Sequence, residues 1–262
     1  MSARDDLRKR LEKLNREAMD RPIGLADAVS GREVVSELGD RAFLISNGLG
    51  VRDEPADDLG ERLRRALEGG HSPARRWIAR CCGDGPLSPE DLVFFDIETT
   101  GLSATPLFLI GTMAWEAGGL VVRQYFARDY AEEPGVISLF LQDIADRRML
   151  VSFNGKSFDV PYVRARAAST GVPCPIDLEH LDLLHVARRV WGHRLPDCKL
   201  QTLERRICGR RRVDDIPGAE IPAAYHRYVR TGDARQMVDC LEHNVLDLVT
   251  LADLMLRLPP PA

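Results

Sequence analysis

Apolar positions change rhythm along the chain. Leu7, Leu11, Leu14 and Ala18 recur at helical spacing between Arg, Lys and Glu, which predicts an amphipathic helix. Glu33 to Ser46 carries two short apolar runs around Gly39-Asp40, the pattern of a small hairpin. Asp53 to Asp58, acidic with a proline, reads as a loop. Leu59 to Cys82 reads as helix, broken near Gly69-Gly70 and Ser72-Pro73. The run from Gly83 to Pro89, rich in glycine and proline, sets a boundary between an N-terminal segment, 1–88, and a larger domain, 89–262.

Beyond that break the pattern turns to strands. Leu92 to Ile97 is a compact apolar run broken only by Asp96, as in a buried strand. Leu107 to Trp115 and Leu120 to Ala127 read as two more, joined through Gly118-Gly119, and Met149 to Phe153 as a fourth. Helical periodicity covers Val136 to Asp146, Val160 to Ser169, Leu181 to Trp191, Leu200 to Cys208 and Ala234 to Leu258. A strand meander followed by strands alternating with helices predicts an α/β fold, a mixed sheet flanked by helices, with a small α/β segment before it.

Composition narrows the picture. A chain of 262 residues, 44% hydrophobic and 29% charged, is an ordinary globular sequence rather than a disordered one. Its net charge of -4 excludes coating nucleic acid by charge alone. It does not exclude a nuclease, whose carboxylates are neutralised by bound cations. Six cysteines, none in a Cys-x-x-Cys pair and without zinc-like spacing, read as reduced thiols. Met1 to Asp20 has no apolar signal core and no stretch is long enough to span a bilayer, so the expected location is cytoplasmic.

Three clusters carry candidate chemistry. In Phe94-Phe95-Asp96-Ile97-Glu98-Thr99-Thr100-Gly101-Leu102, strand alternation sends Asp96 and Glu98 to one face and Ile97 to the other. Two carboxylates side by side at the end of an apolar strand repel, and desolvation adds to the cost; a divalent cation removes both. In Ser152 to Tyr162 a strand ends, Asn154-Gly155 turns the chain, and Asp159 stands near a helix start, where capping is the plain structural alternative. In the last long helix, His243 and Asp247 are four apart and share a face. Oxygen ligands without cysteine favour two Mg2+ or Mn2+ ions, which suit in-line displacement at phosphorus. A histidine beside them can orient water or take its proton.

These motifs resemble those of the 3′-to-5′ exonucleases with four acidic residues, the DEDD superfamily of ribonuclease-H-like fold. Asp-Ile-Glu-Thr-Thr-Gly-Leu is similar to its first motif, Asn154 with Phe158-Asp159, Pro161 and Tyr162 to its second, and His243 with Asp247 to its third. Family members with histidine usually place it five positions before the last aspartate, and those with tyrosine four; here a histidine stands four before. The stretch from Leu195 through Asp215-Ile216-Pro217-Gly218 to His243 is similar to a bacterial group of ribonuclease-H-like exonucleases. The resemblance implies that Asp96 bridges two ions, that Glu98 and Asp247 complete one site, and that Asp159 supports the other. It also implies that Thr99, Thr100 and Asn154 lie beside the terminal nucleotide, that Leu102 packs on its base, and that nucleoside 5′-monophosphates are released.

Nucleic acid, as a single-stranded 3′ end, is the expected partner. Arg205-Arg206 and Arg210-Arg211-Arg212 form a basic cluster, to which Arg164, Arg166, Arg188 and Arg189 add. The structural alternative is local pairing, Arg205 and Arg206 with Glu204 and Arg212 with Asp214. Asp182, at a helix head, is read as a cap. Two rival functions remain: an endonuclease on the same metals, and a catalytically silent nucleic-acid-binding module.

Overall fold

Strict alternation along one strand sets up the two faces of the molecule. In β3 (Leu92–Thr99) the odd residues Val93, Phe95 and Ile97 enter one hydrophobic core. Leu92 and Phe94 enter the other, and the same face continues into Asp96 and Glu98. The computed structural model describes residues 21–48, 54–69, 71–83, 85–103 and 105–261. The helix expected over Leu7 to Ala18 lies outside these residues.

Among the described residues the strands form one seven-stranded sheet in the order β1-β2-β5-β4-β3-β6-β7. β1 (Arg32–Val35) and β2 (Arg41–Gly48) are the expected hairpin. β4 (Leu107–Glu116) and β5 (Gly119–Phe126) continue the antiparallel part, while β6 (Met149–Ser152) and β7 (Glu179–Asp182) add in parallel beside β3. Helices cover both faces. The sheet is therefore mixed and the class α/β, as the strand and helix pattern predicts.

On one face lie α4 (Glu133–Ile144), α5 (Asp159–Thr170) and α8 (Ile221–Thr231). On the other lie α2 (Glu54–Glu68), α3 (Pro73–Cys82) and α6 (Leu183–Trp191). A short turn of helix, α1 (Leu25–Ala28), precedes the hairpin, and α7 (Leu200–Leu203) runs into a π-helical turn at Glu204–Cys208. The last helix, α9 (Arg235–Leu256), serves both cores. Met237, Cys240 and Leu241 join the first; Leu248, Leu251 and Met255 join the second. The stretch between, His243 to Asp247, is thus delivered to the place where the helix passes from one layer to the other.

The residues before 88 share both cores with those after it. Ala42, Phe43, Leu44 and Ile45 of β2 pack in the first, and Leu63, Leu67 and Trp77 in the second. Burying each such side chain contributes about 1.5–3 kcal/mol. A Cβ on Gly135 would stand 1.9 Å from the Arg41 carbonyl oxygen, so α4 lies directly on the β2 backbone.

Two local expectations are corrected. The helix α2 begins at Glu54, inside the expected loop, because Pro55 falls in its first turn, where a missing N–H breaks no helical bond. Leu181 ends a strand rather than opening a helix, since Asp182 caps α6 by accepting from Leu184 N–H. The helix α8 carries no sequence expectation; Pro222 stands in its first turn, and Gly232 closes it at φ 72°.

Candidate active site

The carboxylates of Asp96 and Glu98 stand at the C-terminal end of β3, each residue half-buried. A β-bulge between Glu98 and Thr99 shifts the register against β4 just there. Asp159 is buried at the first residue of α5, and Asp247 is half-buried on α9. These three segments, far apart in sequence, bring their charges into mutual range. Burial, then repulsion from Asp247, Glu98 and Asp159, pushes the Asp96 carboxyl well above its usual range. Glu98 is raised in the same way by burial, Asp247, Asp159 and Asp215, against the pull of Arg212. Asp159 rises to about 7, chiefly through burial, although its own amide and that of Ile97 hold it down.

Asp96 is held by a row of amides. It pairs across the sheet with Gly111 on β4, which pairs with Gln124 on β5. Asn244, fully buried on α9, lies over that glycine: a Cβ at Gly111 would stand 2.0 Å from Asn244 Oδ1. Gln124 Nε2 donates to Asn244 Oδ1 at 2.9 Å and to the Leu241 carbonyl at 2.8 Å. Asn244 Nδ2 in turn donates to Asp96 Oδ2 at 2.9 Å. The helix is thereby registered against three strands, and one oxygen of Asp96 is fixed.

The third motif is held by Arg212. Its guanidinium is buried and forks onto Glu204 at 2.6 Å, Asp215 at 3.1 Å and, closer still, Asp247. Burial works against its charge, yet Asp247 and Glu204 hold it above its ordinary pKa, so it stays a cation. Asp215 also meets His243 Nδ1 at 2.8 Å, leaving His243 Nε2 3.6 Å from Asp247 Oδ2. The local pairing expected for this cluster does not form: Glu204 and Arg212 pair with each other, and Arg212 reaches Asp215 and Asp247 rather than Asp214. Sequence reading named Arg212 and Asp215 but not their contacts with Asp247 and His243, and gave Asn244 no role. Asn244 was detectable, as a polar residue in an otherwise apolar stripe of Leu241, Leu248, Leu251 and Met255.

The remaining candidates fall around this site. Thr99 Oγ1 donates to the Gly101 carbonyl at 2.7 Å and Thr100 Oγ1 to that of Pro106 at 3.0 Å, so both hydroxyls brace the loop after β3. The Tyr162 hydroxyl anchors the same loop 2.8 Å from the Thr105 carbonyl. Leu102 stands out from it, 87% exposed. Asn154 turns the chain in the left-handed region at φ 67°, which asparagine tolerates. Asp182 accepts from the amides of Asn154, Lys156 and Leu184 at 2.9, 3.1 and 3.0 Å, and so fixes this turn as well as capping α6. Arg210 and Arg211 line a groove of about 450 Å3 beside Arg212 and Asp215. Arg166 is spent on Glu133, at 2.7 and 2.6 Å, and Arg164 on the Ile176 carbonyl at 2.7 Å.

A family model described as the RNase H superfamily matches residues 93–258, which contain all four carboxylates. The chain belongs to the RNase H superfamily. Over 173 residues it is 32% identical to the uncharacterized protein YprB of Bacillus subtilis (strain 168), covering 64% of this chain and 42% of that protein. The match thus spans less than half of that relative's length. Among solved structures, a family B DNA polymerase from the hyperthermophilic archaeon Pyrobaculum calidifontis aligns with TM-score 0.50 at 17% identity, over 65% of this chain and 24% of the polymerase. That likeness shows the shared fold.

Nucleases of the RNase H superfamily act on nucleic acid and generally use divalent metal ions. The donor chemistry here fits such ions: an all-oxygen set in which burial and mutual repulsion push Asp96, Glu98 and Asp159 above their usual range. As they stand, no three His, Cys, Asp or Glu groups among the described residues close on one point. Asp247 is turned to Arg212 and Asp96 to Asn244. No helix among the described residues is long and apolar enough to cross a membrane.

Proposed function

We propose that the protein is a metal-dependent 3′-to-5′ exonuclease that removes nucleoside 5′-monophosphates from the end of a DNA or RNA strand, and that it works in the cytoplasm. The observation that carries this reading is that Asp96, Glu98, Asp159 and Asp247, from three separate segments, lie within range of one another's charge. Asp96, Glu98, Asp159 and Asp247 would hold two Mg2+ or Mn2+ ions, which supply an activated water and stabilise the leaving oxygen. The polarity of the cut rests on the resemblance of the three motifs to the DEDD exonucleases.

The chain's own groups have distinct tasks in this reading. Asp96 keeps one oxygen free because Asn244 occupies the other. His243, fixed at Nδ1 by Asp215, presents Nε2 toward Asp247 and can hold or accept the proton of the attacking water. Leu102, exposed on the loop after β3, can pack on the terminal base, and the braced Thr99-Thr100 loop sets its height. Asn154 lies on the turn that delivers Asp159.

One observation favours a catalytically silent binding module instead: Arg212 already neutralises Asp247. A single experiment separates the two. Single-stranded DNA and RNA oligonucleotides labelled at the 5′ end are incubated with Mg2+, Mn2+ or chelator, beside Asp96→Ala. A ladder shortening from the 3′ end, dependent on metal and on Asp96, is the expected result. Binding without cutting under all conditions selects the silent module, and cutting of circular strands selects an endonuclease.

A further inference from the structure

The loop after the π-helical turn faces two ways. Arg212 and Asp215 point inward, to Asp247 and His243. The same two residues also line a groove of about 450 Å3, together with Gln201, Arg205, Arg210 and Arg211. Its volume is that of an ordinary ligand pocket. Its acids do not match its bases: Arg212 engages Glu204 and Asp215, Arg210 stands 3.9 Å from the same Glu204, and Asp214 is the remaining acid of the lining. Arg205 and Arg211 are exposed and make no ion pair with a described residue, although Asp197 feels the charge of Arg205. Arg210 is anchored through Nη2 to Thr250 Oγ1 at 3.0 Å, while its buried Nε–H has no acceptor among the described residues. A buried donor without an acceptor is costly unless a ligand oxygen completes it.

We propose that this groove is the track for a single nucleic-acid strand, with Arg205, Arg210 and Arg211 on consecutive backbone phosphates. The proposal rests on the nuclease reading above only for the direction in which the strand leads, toward the acidic site. The groove gives a chain of net charge -4 a local basic surface for a polyanion. Three guanidiniums along one groove suit spaced phosphates better than a single compact anion.

The test is fluorescence anisotropy of the full chain in chelator, with a labelled single-stranded 20-mer, at a series of salt concentrations. Each phosphate contact on a single strand contributes about 0.7 to the slope of log affinity against log salt. The double variant Arg205→Gln/Arg211→Gln should flatten that slope by about 1.4 and weaken binding roughly 25-fold near 0.1 M salt. Arg227→Gln/Arg230→Gln on α8, outside the groove, is the charge control, and all proteins are checked for equal melting temperatures. An unchanged slope, or an equal loss in the control, overturns the proposal. An equal loss for the 20-mer and for a nucleoside monophosphate overturns the strand in favour of a free-anion site. Wild-type protein that binds through this groove yet cuts nothing in Mg2+ or Mn2+ refutes the exonuclease and leaves the track standing. Cutting without any groove dependence does the reverse.

Discussion

Replacing Arg212 by methionine removes the one guanidinium that meets Glu204, Asp215 and Asp247 together. The methionine fills similar space, so the effect is mainly electrostatic. Glu204 keeps the Thr250 hydroxyl at 3.0 Å and Arg210 at 3.9 Å, and is the least affected. Asp215 and Asp247 are left with only His243 between them. Breaking a buried ion pair by removing one partner costs about 3–5 kcal/mol. At about 2–4 °C per kcal/mol for a chain of this size, melting in chelator should fall by roughly 6–20 °C. Arg212→Lys, which keeps the charge and loses the fork, should fall between variant and wild type. Addition of Mg2+ or Mn2+ should raise the methionine variant more than wild type, because two released carboxylates then compete for the ion. A fall below about 2 °C in chelator would refute the idea that Arg212 is the counter-charge of the site.

Other perturbations test the same geometry. In chelator, stability should decline as pH rises from 5 to about 7. Asp159 titrates near 7 when folded and near its ordinary 3.8 when unfolded, so the folded state binds the extra proton in that window. The gradient is at most about 1.4 kcal/mol per pH unit for each such carboxylate, and a flat or rising melting curve would contradict it. Gly111→Ala should cost about 1–3 kcal/mol by driving a methyl into Asn244, and adding Asn244→Ala should cost less than the sum of the two single changes. Strict additivity in denaturant melts would show that the two do not touch. Asp182→Ala strands three amides, at Asn154, Lys156 and Leu184, and should cost roughly 2–4 kcal/mol; a loss under 1 kcal/mol would mean water replaces the cap.

The first motif was legible because its rule is local. Strand alternation needs only neighbouring residues to send Asp96 and Glu98 to one face, and i,i+4 spacing needs only one helix to align His243 with Asp247. The alternating strands and helices likewise announced the sheet. What escaped is set by distant contacts. Arg212 reads as a solvated charge beside Asp214 until the loop closes it onto Asp247, 35 positions away. Nothing in the sequence before position 88 says that the hairpin extends the sheet along β5. Gly111 and Asn244 each broke a local pattern, a glycine inside a strand and an amide inside an apolar stripe. Their meaning appears only when one is laid on the other.

The amide row over Gly111 has a direction. Gln124 gives hydrogens to Leu241 and Asn244, so Asn244 can offer Asp96 only its nitrogen. An acid at either amide position would reverse one link, and any side chain at 111 would block it. Positions 96, 111, 124 and 244 therefore form one cassette, although they lie on three strands and a helix. Chimeras with a relative that exchange α9 without β4 and β5 should fail at this point, whereas chimeras that move the three elements together should fold.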